Sequence, residues 1–180
     1  MVCMTGNQII SATTIASLHL VKWPDKRLLA DSVRIDTVDE SVIQLVERMA
    51  ELMFEHRGVG LAAPQVGLNV RLFIACPTFE PDDVRAYINP VIVEADGSQS
   101  DEEGCLSFPD IFGQVKRAEH IVVEAMDLNG ELFREDCTEL HARIIQHEID
   151  HLDGVILLDK LSMLAKMKFR KQIAALQQEA

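Results

Sequence analysis

Along residues 37–58, TVDESVIQLVERMAELMFEHRG, apolar side chains fall at Val42, Leu45, Val46, Met49, Leu52 and Met53. That three-and-four spacing puts them on one face of an α-helix. Thr37 and Glu40 suggest a capping box at its start, and Gly58 marks its end. Three later stretches, VRLFIA (70–75), RAYINPVIVE (85–94) and EHIVVEAMDLNGELF (119–133), are rich in β-branched and aromatic residues between turn formers, and read as strands. Asn129-Gly130 predicts a hairpin turn. From Asp136 the helical pattern returns, with Leu140, Ile144, His147, Glu148 and His151 on one face. In residues 159–180, Leu161, Leu164, Met167 and Ile173 or Leu176 share one side, which predicts an amphipathic closing helix. Strand and helix do not alternate. The order predicts an α+β domain, a largely antiparallel sheet packed around the central motif helix and closed by a C-terminal amphipathic helix.

Composition narrows the class. At 180 residues and 48% hydrophobic, the chain suits one compact domain, expected over 18–180 behind a polar, loose lead-in of 1–17. A formal charge of -12 argues against direct DNA binding or attraction to anionic membrane. No apolar run is long enough to span a bilayer. Cys3, Cys76, Cys105 and Cys137 are scattered, without a CxxC pair, as expected of reduced thiols.

The chemistry is concentrated in IIQHEIDHLDG (144–154), where two imidazoles and a carboxylate occupy a core-facing stripe. Unpaired, each would be costly to bury. Histidines at i and i+4 can reach one divalent ion, with Glu148 beside them and free of ligation. A catalytic ion needs a third protein ligand. The HExxHxxGxxH continuation fails because Leu157 stands where its third histidine would be, and Glu179 lies at the chain end. Cys105, in DEEGCLSFPD (101–110) next to the slender Gly104, is the better candidate. A third segment, RGVGLAAPQVG (57–67), reads either as a helix-to-strand connector or as a slim edge where an extended peptide lies, with Gln65 offering an amide donor.

Taken in order, GVGLAAPQ (58–65), EGCLS (103–107) and QHEIDH (146–151) resemble the three signature motifs of the peptide deformylase family. The resemblance runs from about Leu18 to the closing helix. It implies metal ligation by Cys105, His147 and His151, and removal of the N-formyl group from N-formyl-methionyl nascent peptides with release of formate. A metal lowers the pKa of bound water toward about 7, making hydroxide available to attack the formyl carbon. Glu148 would serve as general base and then acid. The Gln65 amide and the Leu106 N–H, with the metal, would stabilise the oxyanion.

The same resemblance implies a peptide paired as an added strand beside Gly58, Val59 and Gly60 and beside Glu103, Gly104 and Leu106. Val59, Leu140, Ile144 and His147 would form the methionine pocket. Arg117 is a candidate partner for Glu103 behind the cysteine loop. Arg143, off the stripe, reads as solvated or as a subsite residue, and Phe108 and Phe112 as rim or packing. Sulfur and two imidazoles suit zinc or ferrous iron; the family implies Fe(II) in the cell, replaceable by zinc or nickel. The basic run Lys160, Lys166, Lys168, Arg170 and Lys171 suggests transient ribosome contact. Rival readings are a metallo-endopeptidase and a formyl-peptide-binding protein that releases no formate. Without an arginine-bearing transit signal, the bacterial cytoplasm is expected over an organelle.

Overall fold

The computed structural model describes residues 4–11 and 13–178; Cys3 and Glu179 lie outside them. Helix α1 (Gly6–Ser11) precedes α2 (Glu40–Glu55), followed by strands β1 (Gly60–Ala62), β2 (Leu72–Ala75) and β3 (Arg85–Asp96). Next come β4 (Gln99–Cys105), β5 (Phe108–Arg117), β6 (His120–Met126) and β7 (Leu132–Thr138). Four helices close the chain, α3 (Glu139–Leu152), α4 (Leu157–Lys160), α5 (Met163–Lys168) and α6 (Arg170–Gln178). One sheet has the order β1-β2-β3-β6-β7, and β4 pairs with β5 in a second; every strand pairing is antiparallel. The expected α+β architecture is present, with α3 packed against the larger sheet. The two-stranded sheet was not anticipated, because its outward positions Asp101, Glu102, Lys116 and Gln114 dilute the apolar alternation on which strand reading depends.

The predicted face of α2 is the buried one: Val42, Leu45, Val46, Met49, Leu52 and Met53. Its cap is Asp39, whose carboxylate accepts from the Ser41 and Val42 N–H groups at 3.0 and 3.2 Å, so the Thr37–Glu40 capping box does not form. A carboxylate at the N-cap satisfies the free N–H groups and meets the positive helix end. The lead-in expected to be loose contains α1, with Ile10 fully buried. Asn7 fastens it, its Oδ1 accepting from the Asp36 and Thr37 N–H groups and its amide donating to Thr37 O and Asp39 Oδ2. Those partners lie about 30 residues away and give no local sequence signal.

Strand β3 bends where Pro90 removes a ladder donor, and its register with β6 shifts there. The Asn129-Gly130 turn joins β6 to β7, with Gly130 at φ 76°. Strand β7 continues to Thr138, so the motif helix begins at Glu139 rather than Asp136. It ends at Leu152, two residues before Gly154, which has φ 68° and lies so close to Leu29 that an added Cβ would be 2.8 Å from the Leu29 carbonyl oxygen. The closing segment is broken at Ser162 and Phe169 into three helices instead of forming one. Ser162 starts α5 by accepting from Ala165 N at 3.2 Å. Leu157, Leu161, Phe169 and Leu176 are the buried apolar anchors, whereas Leu164 and Met167 face solvent.

Candidate active site

The three motif segments arrive from different parts of the fold and line one cavity of about 550 Å³. Gly58, Val59, Gly60 and Gln65 form one wall, Glu103, Gly104, Cys105 and Leu106 another, and Leu140, Ile144, His147 and Glu148 of α3 a third. A separate groove of about 450 Å³ behind α3, lined by Lys116, Gln146 and Lys160 among others, contains none of the Cys105, His147 and His151 trio.

Local structure explains each placement. The β4–β5 register slips between Gly104, opposite Phe112, and Cys105, opposite Phe108, a bulge that re-aims the cysteine at the end of β4. Gly104 lets Phe112 lie directly over the backbone: an added Cβ would be 2.6 Å from Phe112 Cε1. Gln65 lies in the buried turn Ala63–Val66 after β1. Its Oε1 accepts from Ala62 N–H at 2.9 Å, which fixes the amide orientation and sends Nε2 toward Ser107 Oγ at 3.3 Å and Cys105 Sγ at 3.5 Å. A short extended segment ties both motif loops together through Val21 N–H to Gln65 O at 2.7 Å and Trp23 N–H to Ser107 O at 3.0 Å.

Cys105 Sγ lies 3.2 Å from His151 Nε2, and the two imidazole rings are 5.0 Å apart. One ligand atom from each of Cys105, His147 and His151 falls within 4.8 Å of the others, so the trio can hold one ion. Burial lowers the basicity of both histidines. At His147 the hydrogen bonds to Cys105 and Glu103 reverse this and hold its pKa well above the usual imidazole value; His151, with His147 beside it, stays well below. Glu148 is 4% exposed, and its Oε2 has no hydrogen-bond partner among the described residues. Burial raises its carboxyl to about 7, with nearby Glu103 adding to the rise and His147 opposing it.

Behind the trio lies a network of buried ions. Arg117 donates to both Glu103 oxygens at 2.9 Å and to Asp150 at 2.5 Å. Arg143, read as solvated or as a subsite residue, is only 5% exposed, borders the cavity, and donates to Glu103 Oε1 at 2.5 Å and to the Val115 carbonyl at 3.0 Å. Glu103 Oε2 in turn meets His147 Nδ1 at 3.1 Å. Although burial pushes Glu103 upward, the Arg117 and His147 hydrogen bonds hold its carboxyl well below the usual carboxylate range. Ser107 and Asp150 were the members the sequence reading missed, and of the two readings of Arg143 the solvated one fails. Ser107 lies within EGCLS itself, which was the available signal.

The polypeptide deformylase family profile matches residues 17–167. The chain belongs to this family. It is 41% identical to the peptide deformylase of Neisseria gonorrhoeae over 159 residues, 88% of this chain and 95% of that protein. Against the Arabidopsis thaliana peptide deformylase 1B, chloroplastic/mitochondrial, identity is 38% over 96% of this chain and 66% of the relative. A crystal structure of a plant peptide deformylase superposes with TM-score 0.87 at 38% identity, covering 91% of this chain and 90% of that one. As a peptide deformylase family member the chain is an enzyme. Among the described residues no helix is long and apolar enough to cross a membrane.

Proposed function

We propose that the cavity removes the N-formyl group from the N-formyl-methionyl start of newly made proteins and releases formate, with Cys105, His147 and His151 holding one divalent ion. Family membership supports deformylation, and the observation that carries the residue assignment is the meeting of three distant motifs on one cavity. Sulfur and two imidazoles fit Fe(II), the ion expected in the cell, and equally zinc or nickel in purified protein. When bound, such an ion lowers the pKa of a coordinated water toward about 7 and polarises a carbonyl oxygen.

The chain's own residues do the rest. Glu148, with its carboxyl near neutrality, takes the proton of the attacking water and passes it to the departing amide nitrogen. Gln65 Nε2, held by its bond from Ala62, and the Leu106 N–H donate to the oxygen that gains charge in the tetrahedral transition state. Glu103, clamped by Arg117 and Arg143, fixes the His147 ring through Nδ1.

Substrate is held by shape. Strands β1 and β4 are edge strands beside the cavity, so an extended peptide can pair with either through main-chain bonds that ignore side-chain identity. Val59, Leu140 and Ile144 give the methionine an apolar wall. Lys166, Lys168, Arg170 and Lys171 on α5 and α6 offer the basic surface for transient ribosome contact, and bacterial relatives favour the cytoplasm.

The test is formate release from a short N-formyl-methionyl peptide by protein prepared without oxygen and supplied with ferrous iron, beside Glu148→Ala. Release by the first and not the second supports the assignment. Equal release by both removes Glu148 from the reaction, and silence from both with metal bound overturns the function.

A further inference from the structure

A second group with the same ligand chemistry lies outside the cavity. Glu135 and Cys137 are alternate residues of β7, so they project from one face of the strand. His141, in the first turn of α3, returns over them. One ligand atom from each lies within 4.8 Å of the other two, the same test that the Cys105 trio meets. These are the two such groups found among the described residues.

The hydrogen bonds around the group set its ligand atoms as a metal site requires. Tyr87, fully buried and stacked on Phe73 at 4.6 Å between ring centroids, is rigid. Its hydroxyl donates to Glu135 Oε2 at 2.7 Å and so uses its one hydrogen. The Tyr87 oxygen, 3.1 Å from His141 Nε2, therefore accepts from that nitrogen, which leaves Nδ1 as the imidazole lone pair. Nδ1 faces Glu135 Oε1 at 3.9 Å, two acceptor atoms with no hydrogen between them, beside the free, buried thiol of Cys137. A ring nitrogen fixed by an outer partner and a carboxylate steadied by a hydroxyl are the supports that ligating histidines and carboxylates receive. Arg85 also binds Glu135 Oε1, at 2.5 Å, but its charge is answered by Asp83 at 3.0 Å. The Glu135 and His141 side chains are each 19% exposed, which gives an ion an entry path.

We propose that Glu135, Cys137 and His141 form a second divalent-metal site, of zinc type by its sulfur, nitrogen and oxygen donors, which pins the end of β7 to the start of α3. Uptake exchanges the Cys137 S–H bond for an S–metal bond and releases one proton to solvent.

The test counts zinc on the full chain after dialysis against buffered zinc, for the natural protein, Cys137→Ala, His141→Leu, His151→Ala and the His141→Leu/His151→Ala pair. Two equivalents are expected in the natural protein, one in each single variant and none in the pair. Zinc should raise the Tm of His151→Ala by about 5 °C or more and leave that of the pair unchanged. Formate release by His141→Leu should stay within about twofold of the natural protein, because His141 lies outside the catalytic group. If Cys137→Ala does not fold, His141→Leu, at a partly exposed position, decides the matter. One equivalent in the natural protein that is lost in His151→Ala, or a second that survives both Cys137→Ala and His141→Leu, overturns the proposal. An equivalent that survives His151→Ala but not the pair would fault the Cys105 trio assignment only if the natural protein also held one.

Discussion

Gly60 is where the cavity leaves no room for a side chain. A Cβ added there would be 2.4 Å from Glu148 Oε1, 2.9 Å from its Cδ and 3.0 Å from its Cγ. Ordinary van der Waals contact starts at 3.4 Å, so Gly60→Ala must drive the carboxylate back by about 1 Å, a displacement that costs on the order of 10²-fold in a positioned reaction. The Gly60 backbone has no left-handed φ, and its pairing with Ala75 in β2 is main-chain only, so alanine strains neither. Steady-state formate release should therefore show kcat down about 10²-fold, KM within a few-fold, and an unchanged Tm and metal content. A kcat near that of the natural protein would refute the contact as the reason for the glycine. Loss of activity together with bound metal would refute the route through Glu148.

Three further outcomes follow from the same geometry. Gln65→Leu should lower kcat by about 10²- to 10³-fold with little change in KM, because it removes the donor proposed for the oxyanion; kinetics on the same formyl peptide check this. Arg143→Met removes one partner of buried Glu103 and leaves the Val115 carbonyl short of a donor, at a cost of about 3 kcal/mol. Thermal melting should show a fall of about 6–12 °C. In metal-free protein the Glu148 carboxyl is raised from 4.5 to about 7, so folding favours its protonated form. That contribution is fully present below about pH 4.5 and is lost as pH rises through 7, ending as a penalty of about 3 kcal/mol for the ionised group. Glu148→Gln escapes the penalty, so its denaturation midpoint should match the natural protein near pH 4.5 and exceed it increasingly up to pH 7.

What the sequence revealed follows from how local each signal is. The α2 face and the His147–Glu148–His151 stripe depend only on angle around a helix, and both are buried as their spacing requires, apart from Leu140 at the cavity mouth. The hairpin at Asn129-Gly130 needs only a left-handed turn residue. The cap expected at Thr37 is instead Asp39, two residues on, and Asn7 binds the Thr37 carbonyl and the Asp39 carboxylate together, a contact with no local sequence signal. The closing segment was misread because its apolar spacing continues across Ser162 and Phe169 although the helix does not.

Arg143 shows the harder limit. Periodicity placed it off the metal stripe, and that is true of its angle, but a charged residue on the side of a helix is buried whenever a counter-charge reaches it from elsewhere. Here Glu103 comes from β4, 40 residues away in sequence, and brings Arg117 and, through it, Asp150. Two arginines and two carboxylates balance one another, with Lys160 also meeting Asp150 at 3.0 Å from the surface, so Glu103 can engage His147 Nδ1 without an excess of negative charge buried behind the site. Orientation of the His147 ring thus depends on a charge balance shared by β4, β5 and both sides of α3. Changing the sign at any one of the four positions should disturb His147 before it disturbs the helix that carries it.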